Sequence, residues 1–165
     1  MQYEIRSISS EEFGEFSKST ATAFGDDQDA EYLSMKKSYF DFDRTIAVID
    51  KNGIIGGCVS SPYLLNIPGG QVNVAAVADV SVLPNHRRKG LLTDMMRVQL
   101  SDVYEKGEWF AALWAEESPI YGRFGYGIGT YDEDWEIDTR HSDFGTPPKY
   151  DGSFEFEKPS LVNKS

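Results

Sequence analysis

The sequence predicts one α/β domain of the α+β kind, with a mixed, mostly antiparallel central sheet flanked by helices. Three observations carry that expectation. The apolar period shortens from helical to alternating near Arg44 and becomes helical again after Gly90. Turn signals at Asp50-Lys51-Asn52-Gly53 and Asn66-Ile67-Pro68-Gly69-Gly70 cut the intervening chain into strands. A length of 165 residues provides for one buried core and not for two ordinary domains.

Residues 3–8 alternate apolar and polar, as a half-buried strand does. Ser9 and Glu12 stand at capping-box spacing, and Phe13, Phe16, Thr20, Ala23 and Phe24 follow on one face of an amphipathic helix. The acidic stretch 26–29 is expected to be a loop, and Tyr32, Leu33, Met35, Tyr39 and Phe40 mark a second, shorter helix. Strands over 45–49, 54–65 and 71–83 then form an antiparallel meander, with Asn52 and Gly53 able to take positive φ in the first turn. The third strand is expected to put Val72, Val74, Ala76, Ala78, Val80 and Val82 on one face and to stop at Pro84. Leu92, Met95, Met96, Gln99, Leu100 and Val103 make the stripe of another helix, which ends at Gly107. Trp109 to Trp114 is short and almost continuously apolar, which suits a central strand. Ser118 followed by Pro119 predicts the cap and first position of a short helix through Phe124, and residues 128–138 read as one more strand.

Composition narrows the function. With 40% hydrophobic and 26% charged residues the chain is expected to fold rather than stay disordered. No apolar run is long enough to span a membrane, and the first residues lack the pattern of a signal peptide, so a cytoplasmic protein with no membrane partner is expected. Cys58 is alone and the histidines are only His86 and His141, which excludes an internal disulfide and argues against a metal site. Sixteen basic against 27 acidic residues give a net charge of -11, which repels nucleic acid and favours cationic partners.

Against that acidic background His86-Arg87-Arg88-Lys89 is the dense basic cluster, and it lies between a strand and a helix. A helix N-terminus offers unpaired N–H groups and partial positive charge, three basic side chains add formal charge, and Gly90 lets the backbone approach an anion closely. A solvated charged turn is the alternative. The glycine-rich run of a Walker loop and the dinucleotide fingerprint are both missing.

The run Arg87-Arg88-Lys89-Gly90-Leu91-Leu92 resembles the pyrophosphate loop of the GNAT acetyltransferases, whose pattern is Arg or Gln, two residues, Gly, one residue, then Gly or Ala. Leu92 departs from it at the small position. Ile120-Tyr121-Gly122-Arg123-Phe124-Gly125-Tyr126-Gly127 adds a second motif, and together the two resemble the N-terminal domain of the Eis N-acetyltransferases. The resemblance implies the GNAT fold over residues 1–140, with 141–165 a linker, a tail or the start of a second GNAT-like region, and a homo-oligomeric assembly.

It also implies acetyl-CoA as cosubstrate, with no metal, and a small-molecule amine as acceptor, attacked directly in a ternary complex. Backbone groups of Val80 and Val82 would pair with the pantetheine arm, and Arg87, Arg88, Lys89, Gly90, Leu91 and Leu92 would hold the pyrophosphate. Tyr121 stands where the family has its acid for the departing thiolate, and Tyr126 where it has a packing aromatic. Glu117 matches a family residue and is the candidate base. The usual carboxylate position on the third strand is Ala78 in this chain; Asp79 beside it is a further candidate for the acceptor, although alternation points it to the opposite face, and Glu116 and Glu117 lie near the expected cleft. Asp26, Asp27 and Glu31 either form a solvated surface or attract a cationic acceptor such as an aminoglycoside, a polyamine or lysine. A cofactor-binding module without catalysis is the rival reading.

Overall fold

The structure is a computed structural model and describes residues 3–131, 133–146, 149 and 152. It divides into two units, 1–127 and 128–165. In the first, β1 (Glu4–Arg6), β2 (Thr45–Asp50), β3 (Gly53–Ile67), β4 (Gly70–Val82) and β5 (Phe110–Leu113) form one sheet in sequence order. All neighbours are antiparallel except β4 and β5. A parallel pair needs a crossover, and the helix α3 (Leu91–Glu105) supplies it. The other helices are α1 (Phe13–Phe24) and α2 (Ala30–Ser38).

Alternation along β2 sorts the core into two layers. Ile46 and Val48 face α3, whose Leu91, Met95 and Val103 pack on them together with Ile55, Cys58, Ala75 and Val77. Ala47 faces the other way, where Phe16 of α1 meets Ile8 and Ile54. Gly57 lets α1 lie that close, because a Cβ there would come within 2.5 Å of the Phe16 ring. Met95 and Met96 are wholly buried, so truncating either to alanine should cost ~2–5 kcal/mol. At the start of α1 the capping box is half made: Glu12 accepts the Ser9 N–H at 2.9 Å, while the Ser9 side chain caps nothing.

The mixed, mostly antiparallel sheet and its flanking helices are as expected, and five details differ. In the first turn only Gly53 has positive φ; the Asn52 N–H is instead held by Asp50 Oδ1 at 2.7 Å. In β4 the six residues Val72 to Val82 do not share one face. The register steps from Gly57↔Ser81 to Val59↔Ala78, so Asp79 and Val80 together oppose Cys58. This bulge, with Asp79 at φ 56, shifts the phase by one residue and turns Val80 and Val82 toward α3 beside Ala75 and Val77. β5 is an edge strand rather than a central one, and Trp109 and Trp114 at its ends are 78% and 75% exposed. Apolar content does not report whether a further strand is available to pair.

The expected helix from Ser118 through Phe124 is two 3-10 turns, Ser118–Ile120 and Gly122–Phe124, and the cap position belongs to Glu117. Three glycines within Gly122 to Gly127 weaken an α-helix there. In the second unit the described residues of 128–138 form no strand; a 3-10 turn at Thr139–His141 is capped by the Asp138 side chain on the Arg140 N–H. Alternation there fixes which face a residue would take, not whether a ladder partner exists. Most of the expected tail after Arg140 lies outside the described residues. Among the described residues no helix is long and apolar enough to cross a membrane.

Candidate active site

The sheet is paired along only half of its last seam. β5 runs beside β4 from Val74↔Phe110 to Val77↔Leu113, whereas β4 continues to Val82. Leu83 donates its N–H to Ile55 O of β3 at 2.9 Å, so by alternation the amides of Val82 and Val80 face the seam that β5 has left. The Val82 carbonyl accepts a bond there from Arg87 Nε at 3.3 Å. An open edge of this kind can pair with an extended amide-bearing arm as though it were another strand.

The loop that follows is shaped for an anion. Arg88 takes φ 61 and Gly90 φ 85, two left-handed residues in the turn that enters α3. Among the described residues the N–H groups of Arg88, Lys89, Gly90, Leu91 and Leu92 find no acceptor in the protein; the first bonds of the helix are Thr93 and Asp94 to Gly90 O. Five consecutive free donors at the positive end of a helix fit the oxygens of a pyrophosphate. The side chains divide the work. Arg87 reaches back to Ala23 O at the end of α1, 3.2 Å away, and Lys89 to Asn85 O at 2.9 Å. Arg88 makes no hydrogen bond or ion pair among the described residues, so its charge is available to a ligand. Asp26 and Asp27 are exposed just after the end of α1.

Tyr121 lies in the turn between the two short 3-10 segments and is 8% exposed. Burial pushes its phenol up, and Cys58, Glu117 and Glu116 act in the same direction. It therefore stays protonated at neutral pH and can give a proton. Tyr126 packs edge-on against it, with centroids 5.8 Å apart, and burial raises that phenol too. Cys58 is fully buried and its thiol is pushed up to about 12, first by burial and then by Asp79 and Asp102. A thiol so protected is no nucleophile. Glu116 and Glu117 are exposed at the end of β5.

Sequence reasoning did not find Lys36. This residue is the one side chain that α2 buries, and its Nζ lies 2.6 Å from Asp79 Oδ2. The contact is a charge pair and not an aligned hydrogen bond, since the buried Oδ2 has no donor in line with it. Nothing local in Met35-Lys36-Lys37 signals this, because the partner comes from a bulge on a distant strand.

Comparison with known proteins gives a consistent result. Residues 4–129 match the acetyltransferase (GNAT) domain family. An uncharacterized N-acetyltransferase of Streptomyces coelicolor is 41% identical over 89% of this chain and 37% of its own length. The crystal structure of Eis1 from Mycobacterium abscessus superposes with a TM-score of 0.69 at 35% identity, over 78% of this chain and 32% of that one. A predicted acetyltransferase from Clostridium acetobutylicum, solved with acetyl-CoA, shares the fold with a TM-score of 0.66 at 14% identity, over 86% of this chain and all of that one. The chain thus spans little more than a third of the length of its curated relative.

Proposed function

The chain belongs to the GNAT acetyltransferase family, and on that premise we propose that it is an N-acetyltransferase, moving the acetyl group of acetyl-CoA onto a primary amine. The observation that carries the reading is the unpaired β4 edge at Val80 and Val82 running directly into five acceptorless N–H groups. The edge binds the pantetheine amides, and the donors from Arg88 to Leu92 hold the pyrophosphate, with the Arg88 guanidinium beside them and Arg87 bracing the loop against α1. The acceptor nitrogen attacks the thioester carbon; a C–N bond forms and the C–S bond breaks. Tyr121, kept protonated by burial, gives its proton to the departing thiolate. Glu117 takes the proton that the ammonium must lose before it can attack. Asp26, Asp27, Asp79 and Glu116 draw the cationic acceptor to the acidic side of the cleft.

The test is turnover. The purified chain is incubated with acetyl-CoA and a panel of polyamines, aminoglycosides and amino acids, and CoA release is followed by thiol titration. Release that is lost in Tyr121→Phe supports the enzyme. Acetyl-CoA binding without release from any acceptor supports a non-catalytic acetyl-CoA-binding module instead.

A further inference from the structure

Asp79 and Lys36 pair at the point where β4 and β5 part, with the Tyr32 ring 5.9 Å from the Lys36 ammonium, and both side chains are largely out of water: 20% of the Asp79 side chain and 8% of the Lys36 side chain are exposed. Asp79 is in the left-handed bulge residue immediately before Val80, on the strand edge read above as the pantetheine site. Its carboxylate, proposed above to draw the cationic acceptor, already has a resident ammonium in Lys36. An incoming amine must compete with Lys36.

The cost of that competition depends on what else the amine carries. A molecule with only ammonium groups can take Asp79, but it then strands the buried Lys36 charge, and an uncompensated buried charge is strongly destabilising. A molecule bearing an anionic group beside its amine can insert into the pair, ammonium on Asp79 and anion on Lys36. Two charge contacts then replace one and no charge is orphaned. The Oδ2 atom is held by Lys36 at 2.6 Å without an aligned hydrogen bond, so an incoming ammonium that displaces Lys36 can make the bond this contact lacks.

We propose that the Lys36–Asp79 pair is a bipolar acceptor subsite that selects amines carrying a carboxylate or similar anion, as an amino acid does, over simple polyamines. This inference rests on the acetyl-transfer reading, and it runs against the long-range field, since a chain of net charge -11 should attract a dication better than a zwitterion. Preference for the less cationic molecule is therefore diagnostic.

L-lysine, L-lysinamide and cadaverine keep the same diamine spacing and differ in the carboxylate. Calorimetric binding to the full chain without acetyl-CoA should place L-lysine about tenfold or more ahead of the other two, and CoA release should follow the same order. Lys36→Met should abolish or reverse the order, because Asp79 is then free for any ammonium; Lys36→Arg should keep it. Circular dichroism checks that each variant folds, and the wild-type order stands as a test by itself if Lys36→Met does not. Cadaverine equal to or better than L-lysine in the wild type, no binding of any of the three, or an order untouched by Lys36→Met overturns the proposal. Failure of acetyl-CoA to bind would instead sink the acetyl-transfer reading, which the amine binding measured without it does not depend on.

Discussion

Arg44–Glu108 and Lys36–Asp79 each bring a cation to a carboxylate inside the first unit, at 2.7 and 2.6 Å, in opposite surroundings. Arg44 stands before β2 and Glu108 before β5, and Arg44 Nε also bonds Ser60 Oγ of β3 at 3.2 Å. Both side chains are sealed, at 6% and 4% exposure, and hydrogen bonds tie the pair across the sheet. Lys36 is buried as deeply as Arg44, but its Asp79 partner is 20% exposed and the pair lacks the aligned bond, and it stands at the parted seam rather than the closed one. A buried pair tied by aligned hydrogen bonds holds strands in place; one without an aligned bond beside an open edge is suited to exchange partners.

The largest effect should come from breaking the sealed pair. Glu108→Ala leaves the Arg44 charge buried and uncompensated, which costs ~3–5 kcal/mol and lowers the melting temperature by ~10 °C. Replacing Lys36 and Asp79 together, by Met and Asn, should instead leave stability within about 1 kcal/mol of wild type while erasing the preference for amines with a carboxylate. Equal losses of stability in the two experiments would erase the distinction between the pairs. Next in size, Tyr121→Phe should lower kcat by about a hundredfold with acetyl-CoA affinity unchanged, because it removes the proton donor and little surface. Because burial raises the Tyr121 phenol, the loss of kcat that comes from its deprotonation should set in above the range of a free tyrosine, ~10.

How much of this was legible in the sequence depends on how local each feature is. The segment from Arg87 to Leu92 carries its own geometry, since a basic turn, Gly90 and a helix start are contiguous, and the structure shows a left-handed turn there with free donors. The meander was legible for the same reason, its turns being written in Asp50–Gly53 and Asn66–Gly70. The bulge was not. Ala78-Asp79-Val80 looks like uninterrupted strand, and only the pairing of β3 against β4 reveals the extra residue that opens the site. Lys36 was hidden for a related cause, because an ion pair between a helix and a distant strand has no sequence period. Trp109 and Trp114 misled in the other direction: large apolar side chains read as interior, whereas they flank an edge strand.

The anion loop sharpens the contrast between occupied and available charge. Arg87 and Lys89 already bond carbonyls, at 3.2 and 2.9 Å, while Arg88 does not. Arg88→Glu should therefore weaken acetyl-CoA binding by about tenfold or more in calorimetry, and raising the salt should narrow the gap. Arg87→Ala should act chiefly on stability, through the end of α1. Affinity unchanged in Arg88→Glu would remove the loop from the site.

The smallest effect belongs to a third pair, which lies at the surface and completes the series. Arg6 grips Glu12 through its two terminal guanidinium nitrogens, at 2.9 and 2.7 Å, and Glu12 also accepts the Ser9 N–H. The Arg6 bond comes first among the causes that bring the Glu12 carboxyl from 4.5 down to about 2. A depressed carboxyl stabilises the fold where it is ionised in both states, so its contribution is whole above pH 4.5 and is lost as the pH falls through about 2. Glu12→Gln should thus melt below wild type at neutral pH, with a gap that closes between pH 4.5 and 2 and that salt also shrinks, as it does for exposed charges. A gap of constant size across that range would assign the role of Glu12 to packing at the start of α1, and the graded series of sealed, exchangeable and exposed pairs would lose its weakest member.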